Sequence, residues 1–155
     1  MLIYHNMLKG GIFWFLFPCS LVICNDIAAY AWGKYVGKTM LLSLSPKKTM
    51  EGFIGALMTT ILFAYIFSAW LIKFDGLIQD KYNTLYNCIQ YHAVILALYA
   101  SLVAPFGGFF ASAIKRASGL KDFGSFIPGH GGLSDRLDCQ LFMAMFVYLY
   151  YDTIQ

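Results

Sequence analysis

FIGALMTTILFAYIFSAWLI, residues Phe53 to Ile72, runs without a single charge. A helix needs about 20 predominantly apolar residues to cross the hydrocarbon core of a bilayer, and this segment supplies them. Three further apolar stretches lie around it. One runs from about Gly11 to Trp32, is interrupted by Pro18, and carries Asn25 and Asp26 in its second half. Another runs from about His92 to Ile114 and includes Pro105, Gly107 and Gly108, where a kink or break is expected. The last starts at Leu141 and is about three quarters of a span. The pattern predicts an all-α fold, a polytopic integral membrane bundle with about four hydrophobic segments.

Composition agrees. The chain has 155 residues, 59% of them hydrophobic and only 12% charged, and a soluble domain would need about twice that charge to cover its surface. Cys19, Cys24, Cys88 and Cys139 form no CxxC pair and have no His-spaced partner, so they read as reduced packing residues rather than a zinc site or disulfide framework. No cleavable signal peptide is evident at Met1, because the first apolar stretch lacks a basic leader of the usual form and runs straight into polar residues. His5 and His92 receive no role, and the run Phe146, Tyr148, Tyr150 and Tyr151 reads as an aromatic belt at the membrane interface.

The loops differ in charge. After the first stretch come Lys34, Lys38, Lys47 and Lys48 with no acid before Glu51, the signature of a cytoplasmic loop. The next loop balances Lys73 and Lys81 against Asp75 and Asp80, as on the opposite face. The third, from Lys115 to Asp138, sets Lys115, Arg116, Lys121 and Arg136 beside Asp122, Asp135 and Asp138 and returns to the cytoplasm. Two crossings thus bring the richest polar loops to one face. A loop that only sets topology needs positive charge alone; residues 115 to 138 add three aspartates and glycines at 119, 124, 129, 131 and 132. Carboxylates among cations, next to backbone that glycine lets approach closely, suit a metal and polyphosphate site.

From Ser112 to Asp138 the chain reads SAIKRASGLKDFGSFIPGHGGLSDRLD. This resembles the signature of the phosphatidate cytidylyltransferase (CDP-diacylglycerol synthase) family: a serine, a KR pair, four variable residues, KD, PGHGG and DRxD. A second segment is similar to the same family, with Asn25, Asp26, Ala29, Tyr30 and Gly33 followed by SPKKTMEGFIG from Ser45 to Gly55. PFGGFFAS, Pro105 to Ser112, points to its eukaryotic branch. The resemblance covers about Ile12 to Tyr150. It departs at Met50, where the family usually has tryptophan, and in the several membrane helices that family members carry ahead of the matched region. Residues 1–155 are therefore expected to be the C-terminal portion of a single membrane-embedded cytidylyltransferase domain, whether as part of a longer enzyme, as an incomplete sequence or as an unusually reduced protein.

The resemblance implies a nucleotidyltransferase that joins CTP to phosphatidic acid, giving CDP-diacylglycerol and pyrophosphate in phospholipid biosynthesis. It implies Mg2+, with room for a second divalent or monovalent cation, held by Asp122, Asp135, Asp138 and Asp26. Substrate phosphates would fall to Lys47 and Lys48, which could otherwise only anchor a helix among headgroups, and to Lys115, Arg116, Lys121 and Arg136. Asn25, Ser45, Gly131 and Gly132 join the substrate-binding set. His130 is placed as a hydrogen-bonding group for pyrophosphate or a carboxylate. Asp26 otherwise caps a break in its helix, while Thr49 and Glu51 suit the cap of the next one. The implied setting is the endoplasmic reticulum membrane, the site facing the cytoplasm, with the bilayer and a second copy of the chain as partners and no nucleic acid. Rivals are a CTP-dependent lipid or polyprenol kinase, a membrane transporter or scaffold, and an inactive fragment.

Overall fold

The computed structural model describes residues 11–42, 45–73, 88–119 and 134–154, with side chains described outside 40–48 and 134–137. In chain order these form α1 (Phe13–Tyr35), β1 (Met40–Leu42), β2 (Ser45–Thr49), α2 (Met50–Leu71), α3 (Ile89–Leu102), α4 (Ala104–Ala117) and α5 (Ser134–Ile154). Among the described residues, three helical segments are long and apolar enough to cross a membrane: Phe13–Tyr35, Met50–Leu71 and Ile89–Ala117. The protein is a helical membrane bundle.

Pro18 does not interrupt α1. It removes one rung of the ladder, the bond its N–H would have given Trp14, and membrane helices tolerate that loss where neighbouring helices pack around the site. Phe17, Pro18 and Leu21 are all buried. With the helix intact through Asp26, that residue caps nothing. The expected break after α3 does occur. Val103 separates α3 from α4, and Pro105 lies in the first turn of α4, where a missing N–H costs little.

A two-stranded antiparallel hairpin was not foreseen. Met40 pairs with Thr49 and Leu42 with Ser45, strands too short for alternation to show in sequence.

α2 runs antiparallel to α1, and α5 antiparallel to the α3–α4 pair. Phe17 of α1 stacks on Phe67 near the far end of α2, while Gly33 near the end of α1 meets Thr49 and Gly52 at the start of α2. Along α5, Tyr150 meets His92, Phe146 meets Tyr99, and Phe142 and Asp138 meet Gly107, so the α3–α4 pair follows α5 past the break. One end of the bundle therefore gathers the start of α1, the end of α2, the start of α3 and the end of α5. The other gathers the end of α1, the hairpin, the start of α2, the end of α4 and the start of α5.

The first end is aromatic. Phe13 stacks on Phe17 with ring centroids 5.0 Å apart, Trp14 meets Tyr151 edge-on at 5.1 Å, and Tyr99 lies flat on Phe146 at 3.7 Å. The Tyr150 hydroxyl and His92 Nδ1 are 2.7 Å apart in a hydrogen bond. Tyr151 is fully buried. Phe146, Tyr150 and Tyr151 thus pack inward, and the interface belt read from sequence is largely a core; alternating residues near a helix end cannot be assigned to lipid or protein without knowing the partner helix.

Candidate active site

The polar end begins with a seam of small residues between α1 and α2. A Cβ on Gly52 would lie 2.8 Å from Thr49 Oγ1 and 2.9 Å from the Ala29 carbonyl oxygen, and one on Gly33 would lie 3.2 Å from Thr49 Oγ1. Glycine here lets the two backbones converge. Deeper in the seam, Thr60 donates to Asn25 Oδ1 at 3.3 Å, with Asn25 4% and Thr60 0% exposed. Asn25, expected among the substrate ligands, sits inside the helix pair. Asp26, the next residue, is exposed on the outer face of α1, nine residues and so about 14 Å short of the helix end at Tyr35.

Thr49 caps α2 by accepting from the Gly52 amide at 3.2 Å, as its place before the helix suggested. Glu51 does not cap. Its carboxylate reaches back across the loop, accepting from the Lys38 and Thr39 amides at 3.2 Å each and from the Thr39 hydroxyl at 2.8 Å. The backbone of Ser45, Lys47 and Lys48 lies in β2, directly before this cap; their side chains lie outside what is described.

Across the bundle, α4 and α5 approach through Gly107, where a Cβ would lie 2.8 Å from the Phe142 ring and 2.9 Å from the Asp138 carbonyl oxygen. Ser112 donates to the Gly108 carbonyl at 2.7 Å within α4. Lys115 and Arg116 occupy the last turn, where cations favour the negative helix terminus. The helix closes at Gly119, whose φ of +67° is the left-handed conformation that glycine adopts freely after a C-cap. Asp138 is half-buried and accepts from the Cys139 amide at 2.7 Å through Oδ1. Asp135 and Arg136 lie one turn earlier in α5, described in backbone only.

These contacts order the groups by depth. Asp138 is level with Gly107, so Lys115 and Arg116 stand about 12 Å further along α4 toward the polar end. Gln140 donates to the Cys19 carbonyl at 3.3 Å, and Asp26 lies two turns beyond Cys19 toward that same end. Carboxylates on α1 and α5 thus lie deeper than the cations on α4. Lys121, Asp122, His130, Gly131 and Gly132 lie outside the described residues. Among the described residues, no three His, Cys, Asp or Glu side chains gather as a metal set. Asp135 and Asp138 are three apart on one helix, positions that share a face.

A sequence profile described as "Cytidylyltransferase family" matches residues 1–154. The chain belongs to that family. Among relatives, phosphatidate cytidylyltransferase 1 of Arabidopsis thaliana is 46% identical over 173 aligned residues, covering 90% of this chain and 41% of that protein. Phosphatidate cytidylyltransferase of Saccharomyces cerevisiae is 43% identical, covering 98% and 41%, and phosphatidate cytidylyltransferase 1 of Homo sapiens is 40% identical, covering 96% and 40%. The chain spans about two fifths of the length of these relatives. The alignments extend over 173, 188 and 185 positions, more than the 155 residues available, so the relatives hold residues inside the matched region that this chain lacks.

Sequence reasoning missed Thr60, Gln140 and the Glu51–Thr39 pairing, all polar groups that fix one element against another. The signal for Thr60 was weak, a hydroxyl in an uncharged span; for Glu51 it was present, a first-turn carboxylate two residues after the capping threonine and long enough to reach beyond its own turn.

Proposed function

We propose that this chain carries the nucleotide and lipid phosphate site of a phosphatidate cytidylyltransferase, which converts CTP and phosphatidate to CDP-diacylglycerol and pyrophosphate. The observation that carries the reading is 40–46% identity through 90% or more of the chain to proteins of that name. The gathering of both polar segments at one end of the bundle supports it.

In the reaction a phosphatidate oxygen forms a bond to the α-phosphorus of CTP as the bond from that phosphorus to the pyrophosphate oxygen breaks. The nucleophile is already an anion, so the difficulty is to bring two polyanions together and to stabilise the departing one. Lys47, Lys48, Lys115, Arg116, Lys121 and Arg136 neutralise and orient the phosphates, the arginines by bidentate pairing. His130 donates a hydrogen bond to pyrophosphate or orients a carboxylate, with the backbone of Gly131 and Gly132 beside it. Asp122, Asp135, Asp138 and Asp26 would hold Mg2+, which when bound offsets charge on the leaving oxygens, with a second cation as an addition. Asn25 fixes Asp26 through the helix seam, and Ser45 opens the lysine strand.

The bilayer in question is the endoplasmic reticulum membrane, with the polar end facing the cytoplasm, a reading supported by lysines at 34, 38, 47 and 48; a second copy of the chain is a candidate partner. Membranes containing the protein should convert labelled CTP and phosphatidate to CDP-diacylglycerol only with divalent metal added. Transfer of the γ-phosphate to a lipid alcohol with release of CDP would replace this reading with a lipid kinase.

A further inference from the structure

Between Val36, where α1 closes, and Met50, where α2 opens, the chain must leave the membrane end and come back carrying Lys47 and Lys48. Such a loop left to itself samples many conformations, and a ligand that needed two of its lysines would have to order it on binding. The structure removes that freedom at the base of the loop. Thr39 is held at all three of its polar atoms: its amide and hydroxyl donate to Glu51 at 3.2 and 2.8 Å, and its carbonyl accepts from the Met50 amide at 3.1 Å. The Lys38 amide adds a further bond to Glu51 at 3.2 Å. One residue on, Met40 enters the hairpin opposite Thr49.

The seat under this clasp is equally specific. Cβ atoms on Gly33, Gly37 and Gly52 would each press on Thr49 Oγ1, so three glycines leave the space that the capping threonine fills. Thr49 accepts the Gly52 amide by itself, and at the helix end Glu51 meets only its own amide, so its bonds to residues 38 and 39 are additional to the cap. A negative charge three residues after Lys48 would weaken lysines meant for phosphate wherever the two came within short range. Its retention there makes sense if both carboxylate oxygens serve the loop, where hydrogen bonds to a charged acceptor are stronger than neutral ones.

We propose that Glu51 is a positioning residue for substrate phosphate, latching residues 38 and 39 so that the strand bearing Lys47 and Lys48 is already in place before the ligand arrives. The proposal rests on the cytidylyltransferase reading for the identity of the ligand; the latch geometry does not. The chemistry served is a phosphate monoester or polyphosphate, and it comes either from CTP or from phosphatidate.

The test uses the full chain in nanodiscs, with two binding arms, CTP alone and phosphatidate doped into the bilayer, and with amide hydrogen exchange as a readout independent of ligand. Glu51→Gln should weaken one of the two affinities about tenfold, the scale of a misplaced positioning contact, and should speed exchange at the Lys38 and Thr39 amides while leaving amides from Ile54 onward unchanged. Thr39→Val, which keeps the amides and loses the hydroxyl, should show a smaller loss in the same arm, and Thr39→Ser should restore it. Faster exchange at residues 38 and 39 with both affinities unchanged would reduce Glu51 to a structural tie and overturn the proposal. Unchanged exchange would show that the latch does not hold the loop and would overturn it as well. Failure of the parent chain to bind either ligand would overturn the functional reading, and with it the role of the latch toward substrate.

Discussion

The two ends of the bundle are built from opposite materials. At one, Phe13, Trp14, Phe17, Phe67, Tyr99, Phe146, Tyr150 and Tyr151 interlock ring against ring. At the other, Gly33, Gly37 and Gly52 bring the α1 and α2 backbones against Thr49, and Gly107 lets the α5 backbone and the Phe142 ring close on α4. Lipid is as apolar as a phenylalanine, so burial from water does not hold membrane helices together; dispersion, close packing and hydrogen bonds do. Rings maximise contact where the only task is to hold. Glycines bring the helices that flank the polar segments close together, and they contribute little cohesion of their own. The aromatic end therefore acts as the anchor that lets the polar end be open.

If that division is right, substitutions at the polar end should alter chemistry without loosening the bundle. Asp138→Asn is the strongest case. It keeps size and hydrogen-bonding capacity and removes the anion, and its activity should fall by about three orders of magnitude or more, as for loss of a charge that acts on the reacting phosphates. Thermal unfolding in detergent should stay near that of the parent. Activity should be followed over a range of Mg2+ concentrations, because a weakened ion site can be partly refilled by mass action. Near-parental turnover at low Mg2+ would move the metal to other residues.

How much of this division could be read beforehand depends on what kind of signal each part leaves. The spans were legible because twenty uncharged residues from Phe53 to Ile72 have few other uses. That the helix ends flanking the two polar loops lie at one end was legible from lysine placement, and the break at Val103 from Pro105. The candidate site was legible as a motif, since Lys115, Arg116, Asp135, Arg136 and Asp138 sit at fixed spacing. What did not show was direction. Asn25 and Asp26 are adjacent, yet one points into the α1–α2 seam and the other outward, because successive helical residues are about 100° apart. Which of them meets the partner helix depends on that helix's own residues, here Thr60. The inward turn of Tyr150 and Tyr151 was hidden for the same reason.

The converse experiment attacks the anchor. Phe17→Ala removes a fully buried ring that stacks on both Phe13 and Phe67. In water the loss would include a transfer term; in a bilayer mainly the packing term remains, so destabilisation of about 2 kcal/mol is expected in a reversible detergent unfolding titration. The Michaelis constants for CTP and phosphatidate should be unchanged in protein that remains folded. A shift in either constant would show that the aromatic end transmits to the site.

Two hydrogen bonds, one at each depth, sharpen the contrast at lower energy. Thr60→Val is nearly isosteric and leaves Asn25 Oδ1 buried without its donor, a cost of about 1 kcal/mol given that such bonds in membranes average about 0.6 and reach about 1.7. Because α1 also carries Asp26, a small fall in turnover should accompany it. Unaltered turnover would mean that the seam does not set the orientation of Asp26.

Tyr150→Phe should have the smallest effect of all. It deletes the hydroxyl that bonds His92 Nδ1 at 2.7 Å and keeps the ring that stacks on Phe146 at 5.4 Å. Unlike Asn25, His92 is only half-buried, so its freed nitrogen can turn to water or a headgroup instead of staying unpaired. The desolvation penalty that makes a broken buried bond expensive is then mostly absent, and the change in unfolding free energy should be a few tenths of a kcal/mol, near the low end for membrane hydrogen bonds. Turnover and both Michaelis constants should match the parent. A loss comparable to that of Thr60→Val would show that the His92–Tyr150 bond, and not the stacked rings around it, holds α3 to α5. The aromatic end would then depend on a polar clasp much as the polar end does.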